Sequence, residues 1–508
     1  MLRKIKAVLG SRFSVLGKEI LLCVFCGLLL ILSYPNFNFW IFTWFGFVPL
    51  FFVLEGKSKR KAFFLAYLSG IIFWLGIIYW LVHVSLVGTI LLILYLALYF
   101  GIFGLIFSTI NYKLSTPNLL FIPSVWVLLE YIRGHLFGGF PWALLAYSQW
   151  KNLLLIQIAD IFGAWGVSFW VMLINLIIYS VVRRPYSVFR QRKEYIFFFF
   201  LLFITLIYGA YKIYAIRNTP YAIQQKISVI QGNIPQELKW NPLSQDYIFN
   251  KYLYLTSEVV KKDKPDLVVW PEAAMPVILT EEPILFEKLK LFIKEINTPL
   301  LLGAVREENG FYYNSAILFS KDGKLLKHYD KLHLVPFGEY IPFKKIFGFL
   351  ETLFPIGDFK AGSEYTVFNS GIKFSVLICF EDLFPQISRK FCKKGIDFLI
   401  NITNDAWFKK TPAAYQHLQA SVFRAVENRI YLIRAANTGV SGFINPEGKI
   451  ISLVEDQNGK NLFIDGDRSE IIFANKNGFS FYTHFGDCFI LVCLFIILIT
   501  YYKKLNYA

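Results

Sequence analysis

Acidic side chains are scarce in this sequence: 35 Asp and Glu stand against 52 Lys and Arg, and charged residues of both signs fill only 17% of the 508 positions. So little charge cannot clothe the whole chain in solvated side chains. With 56% hydrophobic residues and a mean hydropathy of +0.49, a chain soluble throughout is excluded and an integral membrane protein is expected. Histidine and cysteine are few as well, six of each. No His, Cys and Asp spacing suits a metal, His333 and His417 included. Four cysteines, Cys23, Cys26, Cys488 and Cys493, lie in or beside apolar runs, so the set is no disulfide framework. No glycine-rich phosphate loop joins a strand to a helix, and no cofactor is expected. No coiled coil or long charged face calls for an oligomer, so the default expectation is a monomer.

What the sequence has in abundance is apolar runs, at residues 20–33, 39–53, 62–83, 88–110, 118–132, 153–182, 195–214 and 485–502. Their lengths lie near the roughly 20 residues that cross a bilayer core. Basic residues punctuate them. Arg3, Lys4, Lys6, Arg12 and Lys18 precede the first run, Lys57, Lys59, Arg60 and Lys61 follow the second, and Lys113 follows the fourth. Arg183, Arg184, Arg190, Arg192 and Lys193 follow the sixth, and Lys503 and Lys504 the last. About eight transmembrane helices place every cluster on one face, which the positive-inside rule makes the cytoplasm. The net charge of +17 therefore reads as topology and contact with membrane lipids, not nucleic acid. The first helix is expected to stay uncleaved.

Three regions follow: residues 1–215 with seven helices, 222–474 as a soluble-type domain outside the cytoplasm, and 485–508 with a last helix and a cytoplasmic tail. In the middle region, 227–230, 267–270, 300–305, 315–320, 375–378, 398–402 and 431–434 read as strands, and 244–262, 284–296 and 413–429 as helices. Such alternation predicts an α/β layered domain.

Within it, Phe-Ser-Val-Leu-Ile at 374–378 is an apolar strand that ends on Cys379, then Phe380, Glu381 and Asp382. A rigid strand that delivers a thiol to its end suits a nucleophile, although free cysteine is also a common buried residue. Partners stand in two other segments: Glu272 after the strand 267–270 as a base, and Lys331 in Tyr-Asp-Lys as a cation for an oxyanion. The three make an acyl-transfer set. A disulfide from Cys392 to Cys379 would leave the nucleophile inert.

Glu272 in Trp-Pro-Glu, Lys331 in Tyr-Asp-Lys and Cys379 after its strand resemble the Glu-Lys-Cys triad of the nitrilase, or carbon-nitrogen hydrolase, superfamily. Gln-Gly-Asn-Ile-Pro-Gln at 231–236 with Trp240, His-Leu-Val-Pro-Phe-Gly-Glu-Tyr at 333–340 and Asn-Asp-Ala-Trp-Phe at 404–408 resemble the apolipoprotein N-acyltransferase family, the membrane branch of that superfamily. The resemblance implies a nitrilase-like αββα sandwich beside the multi-pass helical domain, in the inner (cytoplasmic) membrane with the catalytic domain periplasmic. It implies transfer of an acyl chain from a phospholipid, through a Cys379 thioester, to the α-amine of the diacylglyceryl-cysteine that begins an apolipoprotein. It also implies support from Glu339. Glu381 reads either as a second support or as a structural acceptor. Trp240, Phe380 and Trp407 match aromatic positions that line an acyl channel, or else are domain core. Trp142, in the aromatic loop 133–152, lines a path for lipid or belongs to an interfacial belt. Two other readings stay open: a membrane-tethered amidase or nitrilase acting on a small carbon-nitrogen substrate, and a non-catalytic lipoprotein-binding scaffold.

Overall fold

The computed structural model describes residues 2–109, 116–183, 187–219, 223–341 apart from 276 and 280, 358–474 and 478–506. The chain divides into two compact units, Met1–Tyr211 with Asp487–Ala508, and Lys212–Gly486.

The first unit is helical: α1 (Leu2–Leu32), α2 (Val48–Leu54), α3 (Lys59–Ile78), α4 (Leu86–Ser108), α5 (Thr116–Arg133), α6 (Leu153–Ile156), α7 (Ala159–Arg183), α8 (Ser187–Arg217, whose end passes into the second unit) and the C-terminal helix Cys488–Asn506. Every expected run is helical at least in part. Among the described residues four helices, Lys59–His83, Leu86–Ser108, Ala159–Arg183 and Lys193–Arg217, are long and apolar enough to cross a membrane, while Trp40–Leu54 and Cys488–Lys503 are shorter. Phe199, Phe200 and Phe203 of α8 are more than half exposed, which suits a hydrocarbon surrounding and not water.

The expected span 39–53 is not one helix. It forms a 3-10 turn at Trp40–Trp44, leaves the helix, and resumes as α2 with Pro49 in its first turn. The break frees backbone groups that an apolar surrounding cannot satisfy. Asn175 of α7 supplies the partners: its Oδ1 accepts from Phe47 N at 2.8 Å, and its Nδ2 donates to Thr43 O at 2.7 Å and Val171 O at 2.8 Å. Likewise the run 153–182 is divided between α6 and α7, and Gly163 carries a positive φ of 65° where α7 kinks.

Among the described residues the second unit holds two six-stranded sheets. One contains β1 (Gln224–Gln231), β2 (Leu267–Val269), β3 (Leu300–Glu308), β4 (Phe311–Phe319) and β5 (Leu325–Asp330), and the other β6 (Phe368–Asn369), β7 (Lys373–Ile378), β8 (Phe398–Thr403), β9 (Tyr431–Ala436), β10 (Gly442–Ile444) and β11 (Ile450–Leu453). The last strand, β12 (Gly466–Phe473), returns to the first sheet, giving the orders β12-β1-β2-β3-β4-β5 and β11-β10-β9-β8-β7-β6. β1, β2 and β3 run parallel, as do β7, β8 and β9.

Parallel strands need crossovers, and helices supply them. α9 (Gln245–Asp263) and α10 (Pro283–Ile296) share a core with β1–β4, while α11 (Pro385–Cys392) and α12 (Ala413–Asn428) serve the second sheet. α10 turns Leu285, Leu289 and Ile293 inward at intervals of four, one helix face against the sheet. The sheets meet through β1 with β9 and β4 with β7, so the layers run α, β, β, α. β2, β8 and β9 are buried along their whole length, which is why they read as mainly apolar runs, broken only by Asn401 and Thr403 in β8 and Arg434 in β9.

Candidate active site

Glu272, Lys331 and Cys379 all follow strand ends. The turn before Glu272 is fixed by Trp270, whose ring stacks on Tyr252 at 4.9 Å and whose Nε1 donates to Thr256 Oγ1 at 2.8 Å. Gly303 of β3 lies so close beneath this turn that a Cβ would strike Pro271 O and the Glu272 backbone, so the approach demands glycine. Cys379 follows β7 directly with a left-handed φ of 56°. For a non-glycine residue that conformation costs about 1–2 kcal/mol, and here it turns the side chain out of the strand: residues 374–378 are buried, whereas Cys379 is partly exposed.

Lys331 follows β5 and is 1% exposed. Its Nζ lies 2.9 Å from Glu339 Oε1 and 3.8 Å from Glu272 Oε1. Asn314 of β4 bridges the same two carboxylates, donating through Nδ2 to Glu272 Oε1 at 2.7 Å and to Glu339 Oε1 at 3.0 Å. Glu339 Oε2 accepts from Val335 N at 2.8 Å. Burial works against the Lys331 ammonium, but Glu339, Glu272 and Cys379 outweigh it and hold its proton more firmly than usual. Burial pushes the Cys379 thiol well up, Glu272 adds to this, and Lys331 opposes it. At rest, then, a neutral thiol stands near a carboxylate and a fully charged lysine. That arrangement ionises sulfur only by handing its proton to a base.

Glu381 is fully buried and ties the Lys331 loop to β7. It accepts from Tyr329 OH on both oxygens at 2.9 Å, from Leu332 N at 2.8 Å, from His333 N at 3.0 Å and from Ile378 N at 2.8 Å. Burial raises its proton affinity to about 7 against the pull of these donors and of Lys331. Glu381→Gln would set an amide NH2 against N–H groups. It is expected to cost about 1–3 kcal/mol of stability and to slow turnover more than tenfold, read by thermal unfolding and by activity on the same preparation.

A thiol nucleophile, a carboxylate and a buried cation at one end of two packed sheets can carry acyl transfer. Residues 26–177 match the apolipoprotein N-acyltransferase N-terminal domain and residues 226–472 the carbon-nitrogen hydrolase domain. An apolipoprotein N-acyltransferase of Geobacter metallireducens is 36% identical over 502 residues, 94% of this chain and 93% of that one. The chain belongs to the apolipoprotein N-acyltransferase family. Its Pasteurella multocida relative of that name is 30% identical across 85% of this chain and 86% of its own. Among solved structures, an amidase of Nesterenkonia AN1 from the nitrilase superfamily is 17% identical, covering 54% of this chain and 98% of its own with a TM-score of 0.40.

Of the aromatic residues singled out in this N-acyltransferase sequence, Trp240 and Trp407 are 47% and 53% exposed, and Phe380 is partly exposed with Lys331 Nζ 5.3 Å from its ring. The Trp240 and Trp407 loops are tied by Asn404 Nδ2 donating to Gln236 Oε1 at 2.8 Å. Trp142 belongs to the helical unit. It is 4% exposed, packs on Trp80 at 5.1 Å, and its carbonyl accepts from Arg133 Nη1 at 2.7 Å. His333 sits against Phe384, ring centroids 3.9 Å apart.

Two site residues escaped the sequence reading. Asn314 lies mid-strand with nothing to distinguish it. Lys239 looks like a solvated charge in Gln-Glu-Leu-Lys-Trp, yet it is 3% exposed and its Nζ donates to the Glu272 carbonyl oxygen at 3.0 Å.

Proposed function

We propose that this chain transfers an acyl chain from a membrane phospholipid to the α-amine of the S-diacylglyceryl-cysteine at the N-terminus of apolipoproteins, through a thioester on Cys379. The observation that carries this reading is Cys379, partly exposed directly after its strand, grouped with Glu272 and the buried Lys331 in a chain of the N-acyltransferase family.

Glu272 takes the Sγ proton as the sulfur attacks the ester carbonyl, and Lys331 Nζ stabilises the oxyanion. Collapse expels the lysophospholipid oxygen, which leaves with the proton from Glu272, and the acyl group stays on sulfur. The acceptor amine then attacks the thioester and passes a proton to Glu272. An amide forms, and the Cys379 thiolate leaves and recovers its proton. One cysteine serving both halves implies ping-pong kinetics. Glu339 and Asn314 hold Lys331 and Glu272 in register, and Trp240, Phe380 and Trp407 present apolar surface to the acyl chain. Eight helices in the inner membrane, with the catalytic unit periplasmic, would keep both lipid-anchored substrates in one leaflet, where confinement replaces part of the entropic barrier. The protein acts as a monomer.

The test is the intact mass of purified protein incubated with phospholipid alone. The expected result is a gain of one acyl chain, labile to hydroxylamine and absent in Cys379→Ala. No gain, with free fatty acid or ammonia from small amides released instead, would make the chain a hydrolase; no chemistry at all would make it a scaffold.

A further inference from the structure

We propose that Lys239 is a second cation of this site, whose buried ammonium allows Glu272 and Glu339 to be ionised together and so keeps Glu272 available as a base. The inference deepens the thioester reading and rests on it for the role of Glu272.

Asn314 Nδ2 is shared by Glu272 Oε1 and Glu339 Oε1, so two carboxylates converge on one donor, Glu272 buried and Glu339 partly exposed. Like charges held this close do not both ionise unless opposite charge answers each. Lys331 answers one of them. It lies 2.9 Å from Glu339 but 3.8 Å from Glu272, so its nearer partner is the supporting carboxylate and not the base.

Lys239 reaches the same place from another element. It lies between the 3-10 turns Gln236–Leu238 and Pro242–Ser244, and its Nζ donates to the main-chain oxygen of Glu272. That bond places the ammonium at the Glu272 backbone without cancelling its charge. Among the described residues Lys239 forms no ion pair within 4 Å, so its field falls on its neighbours. Burial lowers its proton affinity to about 8, and Glu272 and Cys379 pull it back up.

Among Lys331, Lys239, Glu272 and Glu339 the charges then balance. Lys331 and Lys239 balance Glu272 and Glu339 while Cys379 is neutral, and moving its proton to Glu272 leaves the sum at zero. Without Lys239 the site carries one uncompensated negative charge, which a proton on a carboxylate would relieve. The other charged groups that face this cluster are Asp405, which acts on Cys379, and Glu381, which Lys331 acts on.

The test is the rate of acyl-enzyme formation by the full chain from pH 5 to 9, for wild type, Lys239→Met, Lys239→Gln and the double variant Lys239→Met/Glu339→Gln. In the single variants the acidic limb should move up by one pH unit or more, so that their rate at pH 6 falls about tenfold below wild type while the gap narrows by pH 8.5. The double variant should return the limb to its wild-type position, because one lysine then faces one carboxylate. Limbs that coincide with wild type, or a loss equal at every pH, overturn the role of Lys239. Alkylation of Cys379 by iodoacetamide, followed by peptide mass, reads the same limb without phospholipid. If wild type forms no acyl-enzyme, the acyl-transfer reading fails, and the alkylation limbs still decide Lys239. Should Lys239→Met fail to fold, Lys239→Gln carries the comparison.

Discussion

Lys331→Met is expected to lower the rate of acyl-enzyme formation by about a thousandfold, the upper end of what one oxyanion-stabilising donor contributes. The effect sits at that upper end because Lys331 holds three things. Its Nζ is the ionic partner of Glu339, it lies 3.8 Å from Glu272, and it opposes the upward push on the Cys379 thiol. Methionine keeps an unbranched stem of similar length, so packing against Phe380 survives while the charge does not. Two carboxylates would remain, Glu272 buried and Glu339 partly exposed, joined by Asn314 alone. Removing one partner of a buried charged cluster costs about 3–5 kcal/mol, so the variant should also unfold at a lower temperature. Single-turnover acylation, measured at a temperature where the variant is folded, separates the two effects. A rate within tenfold of wild type would remove Lys331 from the oxyanion role.

The strands that deliver Glu272 and Cys379, and β8 beside β7, were legible because they are buried on both faces. Leu267–Val269, Lys373–Ile378 and Phe398–Thr403 are apolar almost throughout and stop where chemistry begins. β5 and β12 went unread for the opposite reason. Leu-Leu-Lys-His-Tyr-Asp and Gly-Asp-Arg-Ser-Glu-Ile-Ile-Phe are edge strands, largely solvated, and their polar residues resemble loop. β12 pairs antiparallel with β1, Gln224 opposite Phe473, a partnership no local pattern announces. Lys239 was invisible for a related reason. Its burial comes from Glu272, 33 residues on, and nothing in its own segment distinguishes it from a surface lysine. In the helical unit, hydropathy located the apolar runs but not the break at residues 45–47, since Asn175, which repairs it, stands on a different helix.

Asp382→Asn is expected to destabilise the catalytic unit by about 3–5 kcal/mol and to slow acylation with it. Asp382 lies in the turn Cys379–Leu383 and anchors a network that is at most 2% exposed. Its Oδ1 meets His417 Nε2 at 2.8 Å, and its Oδ2 meets Arg434 Nη1 at 2.9 Å and the Ser421 hydroxyl. On the far side of the imidazole, Nδ1 faces Asp405 Oδ1 at 3.1 Å. Two carboxylates thus face two cations, and asparagine would leave His417 and Arg434 with Asp405 alone. Burial works against the charged imidazole, but Asp382 and Asp405 raise it to about 9 despite Arg434. Burial opposes both aspartates too, yet His417 and Arg434 hold them below the usual carboxylate range. The His417 contribution is therefore fully present below its ordinary value of about 6.5 and is lost as pH rises through about 9. The aspartate contribution is present above about 4 and lost on acidification below it. Wild-type thermal stability should thus be greatest between about pH 4 and 6.5 as far as this network decides it, and should decline toward pH 9. In Asp382→Asn that decline should be smaller and should end at lower pH, because the imidazole has lost its nearer carboxylate. An unfolding temperature flat from pH 6.5 to 9 in wild type would mean that His417 is neutral in the folded protein, and that it helps hold the turn bearing Cys379 by hydrogen bonds alone.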